Sequence, residues 1–235
     1  MHLLSFRIDE ERSFGALVEG KIVDLGKHLP EFGSLRELLA GGGLVRALDT
    51  VAEVSAQYRS DRITWLPPLR RPDHLYCVFD DPTSDSVIVE PPTVVGHRRA
   101  LPCPSGDATL WVGVAIVVGP RERAADASQI AGITLVTYLV PGGAAMGPTM
   151  VTMDEVAGLA GLELTFSCGE FETVVTLPDL EKVFSQAAAQ HELDVGDLVA
   201  LLHQIPGVDL TEAEKVRVRS EVVGSLTNPL VGISD

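Results

Sequence analysis

Aromatic residues make up only 5% of this 235-residue chain, so aliphatic Val, Leu and Ala side chains must carry most of the packing. Basic residues are scarce too: 18 Lys and Arg stand against 33 Asp and Glu, a formal net charge of −15. That balance predicts no nucleic-acid or anionic-membrane partner, because both associations rest on Lys and Arg. Cysteine is limited to Cys77, Cys103 and Cys168, an odd number at unrelated spacings. No Cys-x-x-Cys pair or Cys/His cluster points to zinc, and no disulfide framework is implied. Cys77, inside the apolar run Leu75-Tyr76-Cys77-Val78-Phe79, reads as a buried, inert thiol. No uninterrupted apolar run reaches the roughly 18 residues of a membrane span. The opening Met1-His2-Leu3-Leu4-Ser5-Phe6-Arg7 lacks a basic start followed by a long apolar stretch. Together these absences predict a cytoplasmic protein. What is present, 46% hydrophobic residues, is enough to bury a real core.

The hydrophobic pattern is mostly that of strands. Residues 3–7, 13–18 and 21–25 alternate between polar or glycine-containing turns. Residues 34–40 read as a helix capped by Ser34, with Glu37 at the capping-box position and Gly41 to Gly43 ending it. A second helical stretch is expected over 44–59. The proline-stiffened Thr64-Trp65-Leu66-Pro67-Pro68 marks a domain boundary, dividing the chain into a small β-rich domain with a helix, 1–66, and a larger domain, 67–235. Residues 110–118 and 130–140 are nearly continuous apolar runs, too β-branched and glycine-interrupted for helices. Residues 177–190 carry Leu180, Val183, Phe184 and Ala187 at helical spacing, with Pro178 suited to the first turn. Strands are expected at 197–202 and 216–219. The fold class predicted is mixed α/β, mainly β.

A series of landmarks runs through the chain. Trp65-Leu66-Pro67-Pro68 is followed by Pro72-Asp73-His74-Leu75-Tyr76-Cys77-Val78 and by Glu90-Pro91-Pro92-Thr93-Val94-Val95-Gly96. Ala115-Ile116-Val117-Val118-Gly119, Ala131-Gly132-Ile133-Thr134 and Gly147-Pro148 come next, then Val195-Gly196-Asp197-Leu198-Val199 and Gly224-Ser225-Leu226-Thr227-Asn228-Pro229. In order and spacing this resembles the fumarylacetoacetate hydrolase family over nearly the whole chain. The resemblance implies a mixed β-roll behind a small N-terminal β-rich domain, and a homodimer. It also implies a magnesium-type ion held by a Glu-x-Glu pair and an Asp, which polarises a dicarbonyl or oxo-acid substrate, with a His-x-x-Glu pair activating water.

The residues that would carry this chemistry are missing. Aligned on the landmarks, the Glu-x-Glu positions fall on Trp111 and Gly113, and the Asp position falls on Tyr138. The His-x-x-Glu pair falls near Asp85 and Ile88, and no His lies between His74 and His97. The Lys that usually precedes the Pro-Pro pair is Glu90. The segment that normally supplies a further Lys is reduced to Pro141-Gly142-Gly143-Ala144-Ala145-Met146, and a late Thr-Gly-Thr-Pro-like loop has become Leu201-Leu202-His203-Gln204-Ile205-Pro206. The expectation is therefore a divergent member without metal or other cofactor.

Aromatic rings in place of charged ligands describe a pocket for a mainly apolar, carbonyl-rich small molecule. Tyr138 is the candidate donor to a substrate oxygen. Asp85, Glu90 and His203 are the further catalytic candidates, and Trp111, Asp80, Asp81, Thr137 and Gln204 the binding candidates. Each has a plainer reading. Trp111 and Tyr138 refill a void, Asp80 and Asp81 form a turn before Pro82, Glu90 is a surface carboxylate, and His203 is a core histidine. Three functions stay open: a metal-independent cyclase, tautomerase or decarboxylase; an inactive paralogue that binds a ligand or a partner; and a C–C hydrolase with a relocated metal. Fourteen Arg against four Lys fits a GC-rich bacterial source, and with it secondary metabolism.

Overall fold

The computed structural model describes residues 1–69, 74–79, 87–89, 93–104, 108–120, 129–210 and 213–233. It is mainly β, with mixed sheets, as the sequence pattern predicts. The first three strands are β1 (His2–Ile8), β2 (Glu11–Val18) and β3 (Lys21–Asp24), an antiparallel meander. Helices α1 (Leu25–His28), α2 (Leu35–Ala40) and α3 (Leu44–Glu53) follow, then the short strands β4 (Tyr58–Arg59) and β5 (Thr64–Trp65). Helix α2 begins as the sequence requires. Ser34 accepts from Glu37 N, and the Glu37 carboxylate accepts from Gly33 N at 2.9 Å. It ends where Gly42, at φ +65°, lets the chain reverse.

The second half supplies β6 (Leu75–Phe79), β7 (Val87–Val89), β8 (Val94–Val95), β9 (Leu101–Pro104), β10 (Thr109–Val118), β11 (Ile130–Val140) and β12 (Ala144–Thr152). Then come β13 (Glu163–Cys168), β14 (Phe171–Thr176), α4 (Leu180–Gln190), β15 (Leu198–Gln204), β16 (Lys215–Ser220) and β17 (Gly224–Ile233). One twelve-stranded sheet has the order β4-β3-β2-β1-β12-β11-β10-β15-β6-β7, with β5 paired to β1 and β8 to β12. A five-stranded sheet has the order β14-β13-β16-β17-β9. The large sheet buries both faces of its central strands. One face carries Val112, Val114, Ile116 and Leu201 against the small sheet and α4, and the other carries Ala115, Val117, Ala200 and Leu202 against α1 to α3. Central strands buried on both sides explain the unbroken apolar runs.

Some boundaries differ from the sequence expectation, and three of them have a local cause. The second helix stops at Glu53, and Tyr58–Arg59 pairs with β3 instead of continuing it. The reason is local: Gln57 N donates to Ile22 O and Gln57 Oε1 accepts from Asp24 N, drawing the chain out along the sheet. Helix α4 starts at Leu180, leaving Leu177 and Pro178 outside, because Asp179 caps it through Glu181 N at 3.0 Å. Asp197 lies before β15. Its fully buried carboxylate accepts from His74 N and Asp194 N at 3.1 and 2.9 Å, closing the turn that feeds the strand. All three cysteines are free and buried. Among the described residues, no helix is long and apolar enough to cross a membrane.

Candidate functional site

Strands β15, β10, β11 and β12 lie side by side, and their register aligns Gln204, Trp111, Tyr138 and Ala144 in one row. Directly opposed residues on antiparallel strands share a face, so these four side chains do. The next row on that face is Leu202, Gly113, Val136 and Met146, and Phe79 of β6 extends it past Leu202. A third row holds Cys77, Ala200, Ala115 and Thr134. The three positions that the resemblance assigns to carboxylate ligands therefore converge. Trp111 stands opposite Tyr138, and Gly113 follows two residues along from Trp111.

What stands on this patch is an indole, a bare glycine and a phenol, with apolar neighbours. Phe79 meets Trp111 edge-on, ring centroids 4.7 Å apart at 67°, and both rings are half-buried. Val94, paired in parallel with Ala144, adds an apolar side chain beyond Tyr138. Tyr138 is 9% exposed, and its hydroxyl makes no hydrogen bond to a described residue. Burial, and secondarily the nearby Cys77, hold its pKa above the ordinary tyrosine value. Burial likewise pushes the Cys77 thiol up to about 12. Tyr138 is thus a neutral phenol at physiological pH, able to donate a hydrogen bond.

These positions do not fit a hard divalent cation. Such ions take carboxylate, carbonyl and water oxygens, and the side chains at the three positions are an indole, a hydrogen and one neutral phenol. Gly113 cannot be exchanged for a ligand in place either. A Cβ there would overlap Leu201 O and stand 2.9 Å from Leu201 C, both backbone atoms of the neighbouring strand. Among the described residues no group of three His, Cys, Asp or Glu is placed to hold a metal.

The other candidates distribute as the two-residue period of a strand dictates. Gln204 is exposed at the end of the Trp111–Tyr138 row. Thr137 and His203 belong to the intervening row with Val112 and Ala145, which faces the small sheet, so they point away from Tyr138. Thr137 is buried there, while His203 is exposed rather than a core histidine. Asp80, Asp81, Asp85 and Glu90 lie outside the described residues. Phe79, immediately before Asp80, sits on the patch. Phe79 itself was missed as a site residue, although its alternation with Leu75 and Cys77 was the signal that would have put it there.

No family model and no curated protein sequence matches the chain. Solved structures do. A maleylpyruvate hydrolase from Sphingobium sp. SYK-6, in complex with manganese(II) and pyruvate, aligns over 100% of both chains with a TM-score of 0.82 at 15% identity. A 2-hydroxyhepta-2,4-diene-1,7-dioate isomerase from Mycobacterium marinum aligns over 100% of both chains with a TM-score of 0.71 at 18% identity. A 2-keto-3-deoxy-D-arabinonate dehydratase complexed with magnesium and 2,5-dioxopentanoate does so with a TM-score of 0.70 at 14% identity. At these identities the likeness is one of fold. The chain has the fumarylacetoacetate hydrolase fold that its landmarks resemble.

Proposed function

We propose that this chain is a metal-independent enzyme acting on a small, largely apolar, carbonyl-rich molecule by tautomerisation, ring closure or decarboxylation. The observation that carries the reading is the neutral, largely buried Tyr138 phenol, without a hydrogen-bond partner among the described residues and standing where the resemblance expects a metal ligand. Two solved structures of the same fold are complexes with a carbonyl compound and a metal ion, one with pyruvate and manganese(II) and one with 2,5-dioxopentanoate and magnesium. A carbonyl compound in the corresponding patch here would meet Tyr138 in place of the cation.

The chemistry follows from what the phenol can do. A carbonyl oxygen gains negative charge as its neighbouring carbon loses a proton or carbon dioxide. An O–H donor aimed at that oxygen stabilises the developing charge, the more so where surrounding hydrocarbon lowers the local dielectric. A tautomerisation then moves one proton from carbon to oxygen, with nothing else gained or lost. The segment after Phe79 holds the carboxylates offered as the base: Asp80, Asp81 and Asp85, with Glu90 further on. A ring closure asks less of the site, only that the substrate be held in its reactive conformer.

The test uses 1-phenylbutane-1,3-dione, whose enol and keto forms differ in ultraviolet absorbance, with EDTA in the buffer. The wild-type chain is expected to accelerate the interconversion, and Tyr138→Phe to lower kcat/KM by about 100-fold. Full activity in Tyr138→Phe would refute the reading, and loss of turnover on adding chelator would favour a relocated metal. The second reading is an inactive, ligand- or partner-binding paralogue. It is favoured by the Phe79–Trp111 edge contact, which is also how two rings fill a vacated cavity. A chain that binds the dione but never turns it over, and equally one that ignores it, would support that reading.

A further inference from the structure

An edge strand offers unpaired N–H and C=O groups to any other strand, and folds as a rule blunt such edges. Of the four strands that end the two sheets, three are blunted. Strands β4 and β7 have two and three residues. Strand β9 carries Pro102 and Pro104, which have no N–H to donate. The fourth, β14, has no such protection. It runs for six residues without Pro, Lys or Gly, and all six pair with β13 in unbroken register. Among the described residues no strand lies along its other side. Val174, near its centre, is 60% exposed, and Phe171, at its start, is 37% exposed.

The register fixes what this edge presents. Gly169, at φ +58°, and Glu170 make the two-residue turn between β13 and β14, so Cys168 and Phe171 close the hairpin as a hydrogen-bonded pair. Bonds to β13 then fall on every second residue, Phe171, Thr173 and Val175, and Leu177 N continues the series by donating to Leu162 O at 2.8 Å. The N–H and C=O of Glu172, Val174 and Thr176 therefore point outward. This set is self-complementary. A second β14 laid antiparallel about a two-fold axis at Val174 sets Val174 opposite the partner's Val174 and Glu172 opposite the partner's Thr176, each pair exchanging both backbone bonds. The exposed valines then cover each other. Each Glu172 carboxylate faces a hydroxyl instead of a second carboxylate, in a chain that carries 33 acidic residues.

We propose that β14 is a self-association edge, where two copies of this chain join β14 to β14 and merge their five-stranded sheets into one. The resemblance implies a homodimer without assigning it a strand. The inference uses neither Tyr138 nor a ligand, so it stands or falls apart from the proposed function.

Two variants of the full chain test it. Val174→Lys, at a position already exposed in the single chain, sets two ammonium groups against each other on the axis. Sedimentation equilibrium is expected to give half the wild-type mass for this variant, with an unchanged far-ultraviolet circular dichroism spectrum. Val174→Cys places two thiols on the axis with Cα atoms about 5.5 Å apart, a span that a disulfide bridges. Oxidised glutathione, itself reduced to two glutathione molecules, is expected to link this variant into a covalent dimer. The wild type is expected to stay unlinked, because its three cysteines are buried. A wild-type chain that sediments as a monomer would overturn the inference. So would a Val174→Lys variant that keeps the wild-type mass, or a Val174→Cys variant that forms no more linked dimer than the wild type.

Discussion

Gly113 and His97 show how single residues constrain this fold. A methyl group at Gly113 has nowhere to go, since the atoms it would strike are the backbone of Leu201 and Leu202 in the middle of a buried sheet. Gly113→Ala is therefore expected to destabilise the chain by at least about 2 kcal/mol in urea unfolding; a variant as stable as wild type would show that β10 and β15 can move apart. The same crowding explains why a carboxylate could not be regained here by one substitution. His97 is buried against Trp65, ring centroids 5.1 Å apart, and its Nδ1 accepts from Thr227 N at 3.1 Å. Burial first, then the charges of Arg98 and Arg217, lower its pKa from 6.5 to about 4. Because the folded value lies below the unfolded one, the folded state prefers the neutral ring. This stability is fully present above pH 6.5 and is lost as pH falls toward 4, to the extent of about 2–3 kcal/mol. His97→Gln is expected to flatten the stability–pH curve over that interval, and an unchanged acid slope would assign it to other groups. At this scale the sequence was informative where the landmarks gave a register: Trp111, Gly113 and Tyr138 do converge.

Elements were legible wherever a local rule governed them. The Ser34–Glu37 cap needs only a few neighbouring residues: Ser34 accepts from Glu37 N, and the Glu37 carboxylate reaches back to accept from Gly33 N. Ser34→Ala removes the acceptor for Glu37 N and is expected to cost about 1 kcal/mol, read from chemical denaturation; Ser34→Asp should retain most of it. Equal losses in the two variants would show that the cap contributes little. The runs at 110–118 and 130–140 became β10 and β11 because only strands buried on both faces tolerate so many β-branched residues. Element ends were harder to read, because distant groups set them. Helix α3 gives way to β4 through Gln57 bonding to β3, a contact across 33 residues of chain, and β15 starts late because Asp197 holds the amide of His74. Strand β12 begins in the glycine-rich 141–146 segment, which read as a shortened loop. Its pairing with β11 and β8 makes it a strand despite its composition.

For the molecule as a whole, the proline-rich stretch around Pro67 marks a change in composition more sharply than a change in packing. Strand β1 pairs with β12, His2 opposite Val151 and Leu3 opposite Met150, so the first strands continue the sheet built by the last two-thirds of the chain. One apolar cluster contains Leu3, Phe14, Leu25 and Leu38 together with Ala115, Met146, Ala200 and Leu202. Separating the two regions would expose that cluster from both sides and break the β1–β12 ladder, so neither region can unfold while the other keeps its full core. The two tryptophans allow a direct measurement. Trp65, in β5, reports on the N-terminal strands, and Trp111, in β10, on the centre of the large sheet. Single-tryptophan variants, Trp111→Phe and Trp65→Phe, are expected to give fluorescence transitions in urea that coincide with the loss of far-ultraviolet circular dichroism in the same variant. A Trp65 transition at clearly lower urea than the loss of sheet signal in that variant would mean that residues 1–66 detach first. The β1–β12 seam would then be a docking surface between two domains and not part of one cooperative core.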